Sequence, residues 1–200
     1  MYNYPIFNPE YGNLTEKIRD EYIIDNINND SLPVNAYNIS KITRLTASNN
    51  SSDKIYFWQL YSILGETPIR NLITVFYRRI FDDSKNVWFR KEFIRLGDID
   101  HHIKGQTNFW VDVMGGGKKY YKNKKILYFK HKYASKIMTK EGADVWMKHM
   151  INSLYEVNLC QNKDKRIISC ISDFLYYFMH KYSKEFDFNF YEVNTLQSKL

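Results

Sequence analysis

Residues 98–117, DIDHHIKGQTNFWVDVMGGG, contain the start, the apolar face and the end of one helix. From Ile99 to Trp110, apolar side chains recur every three or four residues, the spacing of one face of an α-helix. Asp98 precedes this run and is a good N-cap, because its carboxylate can accept hydrogen bonds from the first turn. A run of three glycines begins at Gly115 and ends the helix, since glycine tolerates left-handed backbone conformations. The stretch therefore predicts an amphipathic helix with defined ends.

The segments on both sides also follow helical spacing. Upstream, IYFWQLYSIL runs to Gly65, and Thr67 is predicted to cap a second helix, PIRNLITVFYRRIF, with Pro68 in its first turn. DDSKN interrupts that helix before VWFRKEFIRL. Downstream, Thr139 is predicted to cap KEGADVWMKHMINSLYEV, and KRIISCISDFLYYFMHKYS is predicted to form a last long helix. We therefore expect an all-α domain of about six helices.

Three regions are expected along the chain. Residues 1–55 form an Asn-rich N-terminal extension, with loop-like stretches such as NNDSLPVN and a short helix around 15–26. Residues 56–182 form the helical domain. Residues 183–200 form a C-terminal tail, whose alternating phenylalanines predict a strand or an extended packing segment.

Composition excludes several classes of protein. With 44% hydrophobic and 17% aromatic residues, the chain can bury a core and is not wholly disordered. The two cysteines, Cys160 and Cys170, form neither a disulfide framework nor a metal knuckle. The sequence has no apolar run long enough to span a membrane and no signal-peptide pattern at its start. An intracellular protein, cytoplasmic or mitochondrial rather than secreted, is expected.

The net charge of +7 lies in the middle of the chain, where nine lysines and no acidic residues occur between Lys118 and Lys140. Binding of nucleic-acid phosphates would use such a cluster. The cluster is also explained by a solvated surface that AT-rich codons have enriched in lysine, and we favour that explanation. Nucleic acid is therefore not the expected partner.

Common catalytic motifs are missing from the sequence. The five histidines have no zinc-binding spacing such as His-Glu-x-x-His, and no Gly-x-Ser-x-Gly elbow occurs. The triple glycine follows a helix rather than a strand, which disfavours a phosphate-binding loop. Taken singly, each histidine is best explained as a structural side chain. His131 in ILYFKHKYASKI and His102 on the apolar helix face are the two with a ligand role as the alternative.

The order of these pieces over residues 56–182 resembles the truncated haemoglobins, short globins with a two-over-two helical sandwich. The resemblance rests on the pair Phe76-Tyr77, the spacing Gln106-x-x-Phe109, the glycine turn followed by Tyr-Tyr, and the order His131 then Trp146. The sequence departs from the family in having one glycine, Gly65, after the first helix, and a longer segment between His131 and Trp146.

The resemblance implies roles for particular residues around a haem b cofactor. His131 is the implied proximal ligand of the haem iron. Tyr77, His102, Gln106 and Trp146 are the implied hydrogen-bond donors to a bound ligand, with His102 also a candidate distal iron ligand. Lys125 and Lys130 are candidates to pair with the haem propionates. The implied apolar walls are Phe76, Phe93, Phe109, Leu127, Phe129 and Ile137.

The function implied by the resemblance is the binding of O₂, NO or a similar diatomic ligand, for storage, sensing, or NO or peroxide chemistry. Activity of the NO dioxygenase or peroxidase type would need an external reductant, such as a reductase partner. The alternative is a globin-like accessory subunit of a larger, for instance mitochondrial, assembly that the N- and C-terminal extensions contact, with haem retained or lost. The sequence leaves the ligand, the reductant, the iron coordination, the family subgroup and the compartment open.

Overall fold

The regular elements among the described residues are helices. The computed structural model describes residues 55–116, 136–159 and 164–190, with positions 23–25, 27, 28, 30, 34, 50–52 and 134. A 3₁₀ turn, Phe57–Gln59, precedes six α-helices, which are α1 (Leu60–Leu64), α2 (Glu66–Phe81), α3 (Val87–Leu96), α4 (Ile99–Val113), α5 (Lys140–Glu156) and α6 (Lys165–Glu185). Within the described residues there is no strand, which confirms the all-α prediction. No helix in that part of the chain is long and apolar enough to cross a membrane.

Two of the predicted helix starts are confirmed by their caps. The Asp98 carboxylate accepts a hydrogen bond from the His101 backbone N–H at 2.7 Å, at the start of α4. The Thr139 hydroxyl accepts one from the Gly142 N–H at 3.1 Å, at the start of α5. Each cap satisfies an N–H group that has no carbonyl partner within the first turn of its helix.

The predicted start of α2 is wrong. α1 ends at Gly65, whose φ of 73° interrupts the helical backbone, and α2 begins immediately afterwards at Glu66. Thr67 is therefore inside the first turn rather than at the N-cap. Pro68 lies in that first turn as predicted, where its missing N–H removes no helical hydrogen bond.

The described elements group into two compact units. The first is formed chiefly by residues 55–69 and 108–116. In it the Phe57 ring packs edge-on against Trp110 with 6.1 Å between ring centroids. The Tyr61 N–H donates to the Met114 carbonyl at 3.0 Å, which ties α1 to the end of α4.

The glycine turn after α4 also belongs to the first unit. Gly115 has a φ of 93°, in the left-handed region that favours glycine. Gly116 lies against the ring of Tyr61, and a Cβ at position 116 would be 2.4 Å from that ring. Both glycines are therefore required by the turn, one by its backbone conformation and the other by a close approach.

The second unit comprises the described part of residues 70–107 and 123–200. α5 packs on α6, and the buried side chains include Leu72, Phe76, Phe89, Met150 and Ile171. Asp164 caps α6 by accepting from the Arg166 N–H at 3.1 Å. Burying each large apolar side chain in such a core contributes about 1.5–3 kcal/mol to folding.

The residues after α6 form a turn at positions 186 and 187 and have no regular secondary structure from 188 to 190. The Phe190 ring is buried and lies 5.4 Å from the His180 ring and 6.3 Å from the Tyr176 ring. The sequence predicts a strand or an extended packing segment for this tail, and residues 191–200 lie outside those described. The short helix predicted around 15–26 has residues 23–25 in helical conformation, and its remaining residues lie outside those described.

Candidate functional site

The pair Phe76 and Tyr77 lies near the end of α2, and both side chains are almost completely buried. Their rings meet edge to face with centroids 5.1 Å apart. The ring of Trp146, on α5, contacts the Phe76 ring in the same way at 5.0 Å. Edge-to-face packing is the arrangement that aromatic quadrupoles favour. Two residues more than 60 positions apart in sequence thus meet beside Tyr77.

His102 supports Tyr77 from a different helix. Its ring, on α4, stacks on the Tyr77 ring with centroids 5.1 Å apart and an interplanar angle of 19°. The His102 Nε2 lies 2.8 Å from the Phe93 carbonyl oxygen. Because a carbonyl only accepts, Nε2 carries the proton and donates it. That carbonyl is one of the last four of α3, so the His102 side chain also caps that helix.

The rings around Tyr77 form a continuous group. Phe93 contacts both Tyr77, at 6.0 Å, and His102, at 5.6 Å. Phe81 and Phe89 extend the group, at 5.8 Å from His102 and 4.9 Å from Phe93. We call this set the aromatic cluster, and its members are Phe76, Tyr77, Phe81, Phe89, Phe93, His102 and Trp146.

A hydrogen-bonded pair, Asp83 and His149, lies next to the aromatic cluster. The His149 Nε2, on α5, lies 2.8 Å from the Asp83 Oδ2, in the loop between α2 and α3, and the two side chains are 13% and 7% exposed. Burial tends to raise the pKa of the Asp83 carboxyl. The hydrogen bonds that it accepts from Asn86, His149 and the Lys85 backbone outweigh this and hold the pKa well below its usual range. Asp83 is therefore ionised throughout the neutral range.

Five of the predicted site residues come together in the structure, namely Phe76, Tyr77, Phe93, His102 and Trp146. Gln106 is half-buried on α4, one turn after His102, and Phe109 belongs to the first unit. Ile137 is buried just before α5. His131, Leu127, Phe129, Lys125 and Lys130 lie outside the described residues, and their roles remain predictions.

The sequence reasoning missed four residues of this region. Phe81 and Phe89 were not assigned to the site. Phe81 contacts His102, and Phe89 contacts Phe93 one turn along α3. His149 was placed among the structural histidines and Asp83 was given no role. A signal for His149 was its position one turn after Trp146 on the same helix, but nothing local indicated its partner.

The aromatic cluster fits one side of a haem site. It combines apolar rings with a buried phenol and with a half-buried imidazole and indole N–H. Donors in an otherwise apolar setting are what a diatomic ligand with partial negative charge requires. No group of three metal-ligating side chains occurs in the described part of the chain. A haem iron needs only one or two protein ligands, so this finding does not conflict with the fit.

Comparisons with known proteins agree with the fold. The family model described as "Bacterial-like globin" matches residues 59–180. A curated relative, "Two-on-two hemoglobin-3" of Arabidopsis thaliana, is 33% identical over 95 residues, which cover 48% of this chain and 53% of that protein. The chain thus spans about half the length of that relative.

The chain is a bacterial-like globin, of the truncated, two-over-two type. Membership of this family implies a haem cofactor.

Proposed function

We propose that this chain is a globin that carries haem b and holds O₂, or a similar diatomic ligand, beside Tyr77. The observation that supports this most directly is the setting of Tyr77. Its buried ring is stacked on His102 and packed against Phe76, with Trp146 adjacent. When bound, haem supplies an iron centre with one face open to a diatomic ligand.

The residues of the chain would divide the work on the two faces of the cofactor. On the proximal side, His131 would bind the iron through an imidazole nitrogen. Lys125 and Lys130 would pair with the propionates. On the ligand side, Tyr77, Trp146 and Gln106 would donate hydrogen bonds. Charge-assisted hydrogen bonds of this kind are about twice as strong as neutral ones, so they slow ligand release.

His102 has two assignments in this proposal. As a distal iron ligand it would use a ring nitrogen, and its Nε2 already donates to the Phe93 carbonyl. As a support for Tyr77 it keeps that hydrogen bond and its stacked ring. We favour the second assignment, because it requires no change in the observed geometry.

The absorption spectrum of the purified chain, before and after reconstitution with hemin, tests haem binding. We expect an intense Soret band that is lost in His131→Ala and retained in the exposed control His101→Ala. A pyridine haemochrome spectrum identifies the haem type. A wild-type chain that gains no Soret band with hemin would refute the proposal and favour the accessory-subunit alternative.

The rate of O₂ dissociation tests the role of Tyr77. Removing the hydroxyl in Tyr77→Phe leaves the ring packing intact, and we expect release to be about tenfold faster or more, the effect of losing a hydrogen bond worth about 1.5–3 kcal/mol. Tyr61→Phe, which removes a hydroxyl in the first unit, is the matched control. An unchanged rate in Tyr77→Phe would exclude Tyr77 as the stabilising donor.

Activity of the NO dioxygenase or peroxidase type is a finer part of the proposal. Several donors beside the ligand would favour tight retention of O₂, which suits redox chemistry better than transport. Turnover would then need electrons from a reductase partner. Consumption of NO by the oxygenated chain, with and without an added reductase, measures this directly.

A further inference from the structure

A hydrogen-bonded pair of mostly buried side chains connects two helical regions whose ring contacts extend to Tyr77. Asp83 follows α2 and His149 lies on α5, 66 residues later, and their side chains meet at 2.8 Å. Neither side chain belongs to the donor set proposed for the ligand.

The Asp83 carboxylate is fixed by hydrogen bonds to both of its oxygens. Oδ1 accepts from the backbone N–H groups of Lys85 and Asn86, at 2.8 and 2.9 Å. Oδ2 accepts from the Asn86 side-chain amide and from His149 Nε2, each at 2.8 Å. Because a carboxylate only accepts, His149 must donate through Nε2. The loop before α3 thus presents a rigid acceptor to α5.

One connection from the pair to Tyr77 runs through α3. The His149 ring is stacked at 6.5 Å on Phe89, with an interplanar angle of 23°. Phe89 packs on Phe93 at 4.9 Å, and Phe93 packs on Tyr77 at 6.0 Å. A shift of His149 would therefore be passed through three ring contacts to the Tyr77 ring.

The other connection runs along α5. Trp146 lies three residues before His149, so the two side chains are one turn apart on the same side of the helix. Trp146 packs on Phe76, which packs on Tyr77. The hydrogen bond from His149 thus fixes the rotation of the turn of α5 that carries Trp146.

We propose that Asp83 and His149 are positioning residues for the ligand side of the haem site. Their hydrogen bond holds Phe89 and Trp146 in place, and through them it sets the position of the Tyr77 ring. The inference rests on the function proposed above.

An ion pair between α2 and α5 provides a control. Arg79 pairs with Glu156, and these side chains are 35% and 51% exposed. Neither takes part in a ring contact with the aromatic cluster. If Asp83 and His149 only held the region of α2 against α5, loss of either pair would have the same effect on the site. If they position Tyr77, only loss of the Asp83–His149 hydrogen bond changes the site.

The variants separate the hydrogen bond of His149 from its ring. His149→Phe keeps an aromatic ring against Phe89 and loses the N–H. His149→Gln keeps an N–H that can reach Asp83 and loses the ring. Asp83→Asn weakens the acceptor, and its matched control is Asp82→Asn at the exposed neighbouring position. Glu156→Gln is the control variant, because it weakens the ion pair between Arg79 and Glu156.

Two measurements are made on each variant. The first is the NMR position of the Trp146 indole N–H in the chain without haem, assigned by its loss in Trp146→Phe. The second is the rate of O₂ dissociation from the chain loaded with haem. The first measurement depends on the packing of α5 alone, so it does not require the proposed function to hold.

We expect Asp83→Asn and His149→Phe to move the indole resonance and to speed O₂ release about threefold to tenfold, less than complete loss of the Tyr77 hydrogen bond would give. His149→Gln should restore both readouts toward wild type, and Asp82→Asn and Glu156→Gln should change neither. Unchanged readouts in His149→Phe, or equal changes in Glu156→Gln, would overturn the inference. A wild-type chain that binds no hemin would instead overturn the proposed function.

Discussion

Gly142 allows the start of α5 to lie against the preceding backbone. A Cβ at this position would be 1.7 Å from the carbonyl oxygen of Ile137 and 3.4 Å from the Thr139 hydroxyl. The nearest atom belongs to the backbone, so no side chain can rotate out of the way. Gly142→Ala would therefore require α5 or residue 137 to move by more than 1 Å.

The size of the effect is the sum of three contributions. Alanine inside a helix is intrinsically better than glycine by about 1 kcal/mol. Overpacking against a fixed neighbour costs about 1–3 kcal/mol, and losing the Thr139 cap, which bonds the N–H of this same residue, costs about 1 kcal/mol. The net expectation is a loss of about 2 kcal/mol in the free energy of unfolding, opposite in sign to the helix propensity.

Urea unfolding followed by circular dichroism measures this change. For a chain of this size the corresponding fall in Tm is about 4–8 °C. Thr139→Ala measures the cap alone and should cost about 1 kcal/mol. Lys148→Ala, at an exposed position of the same helix, should lie within about 0.5 kcal/mol of wild type. A Gly142→Ala chain as stable as wild type, or more stable, would refute the reasoning.

Three further predictions concern the pH dependence of stability, the glycine turn and a helix cap. Because the folded pKa of Asp83 is lowered, its charge stabilises the fold at pH values above its unfolded pKa of about 3.9. The stability difference between wild type and Asp83→Asn should thus be present at about pH 5 and shrink below about pH 4; a difference that persists unchanged to low pH would contradict this. Gly116→Ala should cost about 1–3 kcal/mol through its clash with Tyr61, and less when combined with Tyr61→Ala, so additive losses would exclude the clash. Asp98→Ala should lower the unfolding free energy by about 1 kcal/mol in urea titrations through loss of the α4 cap, and no loss would mean that the cap is replaced by solvent.

Helix ends were the most predictable part of the fold. The caps at Asp98 and Thr139 bond N–H groups three residues away, and Gly65 interrupts the helical backbone through its own φ, so the information is local. The start of α2 was predicted wrongly because two local signals lie close together there. These signals, Gly65 and Thr67, compete, and the turn at Gly65 leads directly into the helix.

The candidate site was predictable only in its residue types. The order Phe76-Tyr77, His102 and Trp146 could be recognised from a family pattern, and the structure brings these rings into contact. The hydrogen bond that His102 makes with Phe93 could not be foreseen, because it depends on how α4 crosses the end of α3. The proximal side of the site remains a prediction from the sequence.

The sequence by itself determined the helical class, most helix boundaries and the aromatic and polar residues available for a haem site. These follow from spacing and from hydrogen bonds that span three or four residues. The hydrogen bond between Asp83 and His149 is visible only in the tertiary structure. The same holds for the ring contacts that connect Phe89 and Trp146 with Tyr77. Such pairs join residues on different helices, and their contact depends on the packing of whole helices rather than on any local preference of the chain.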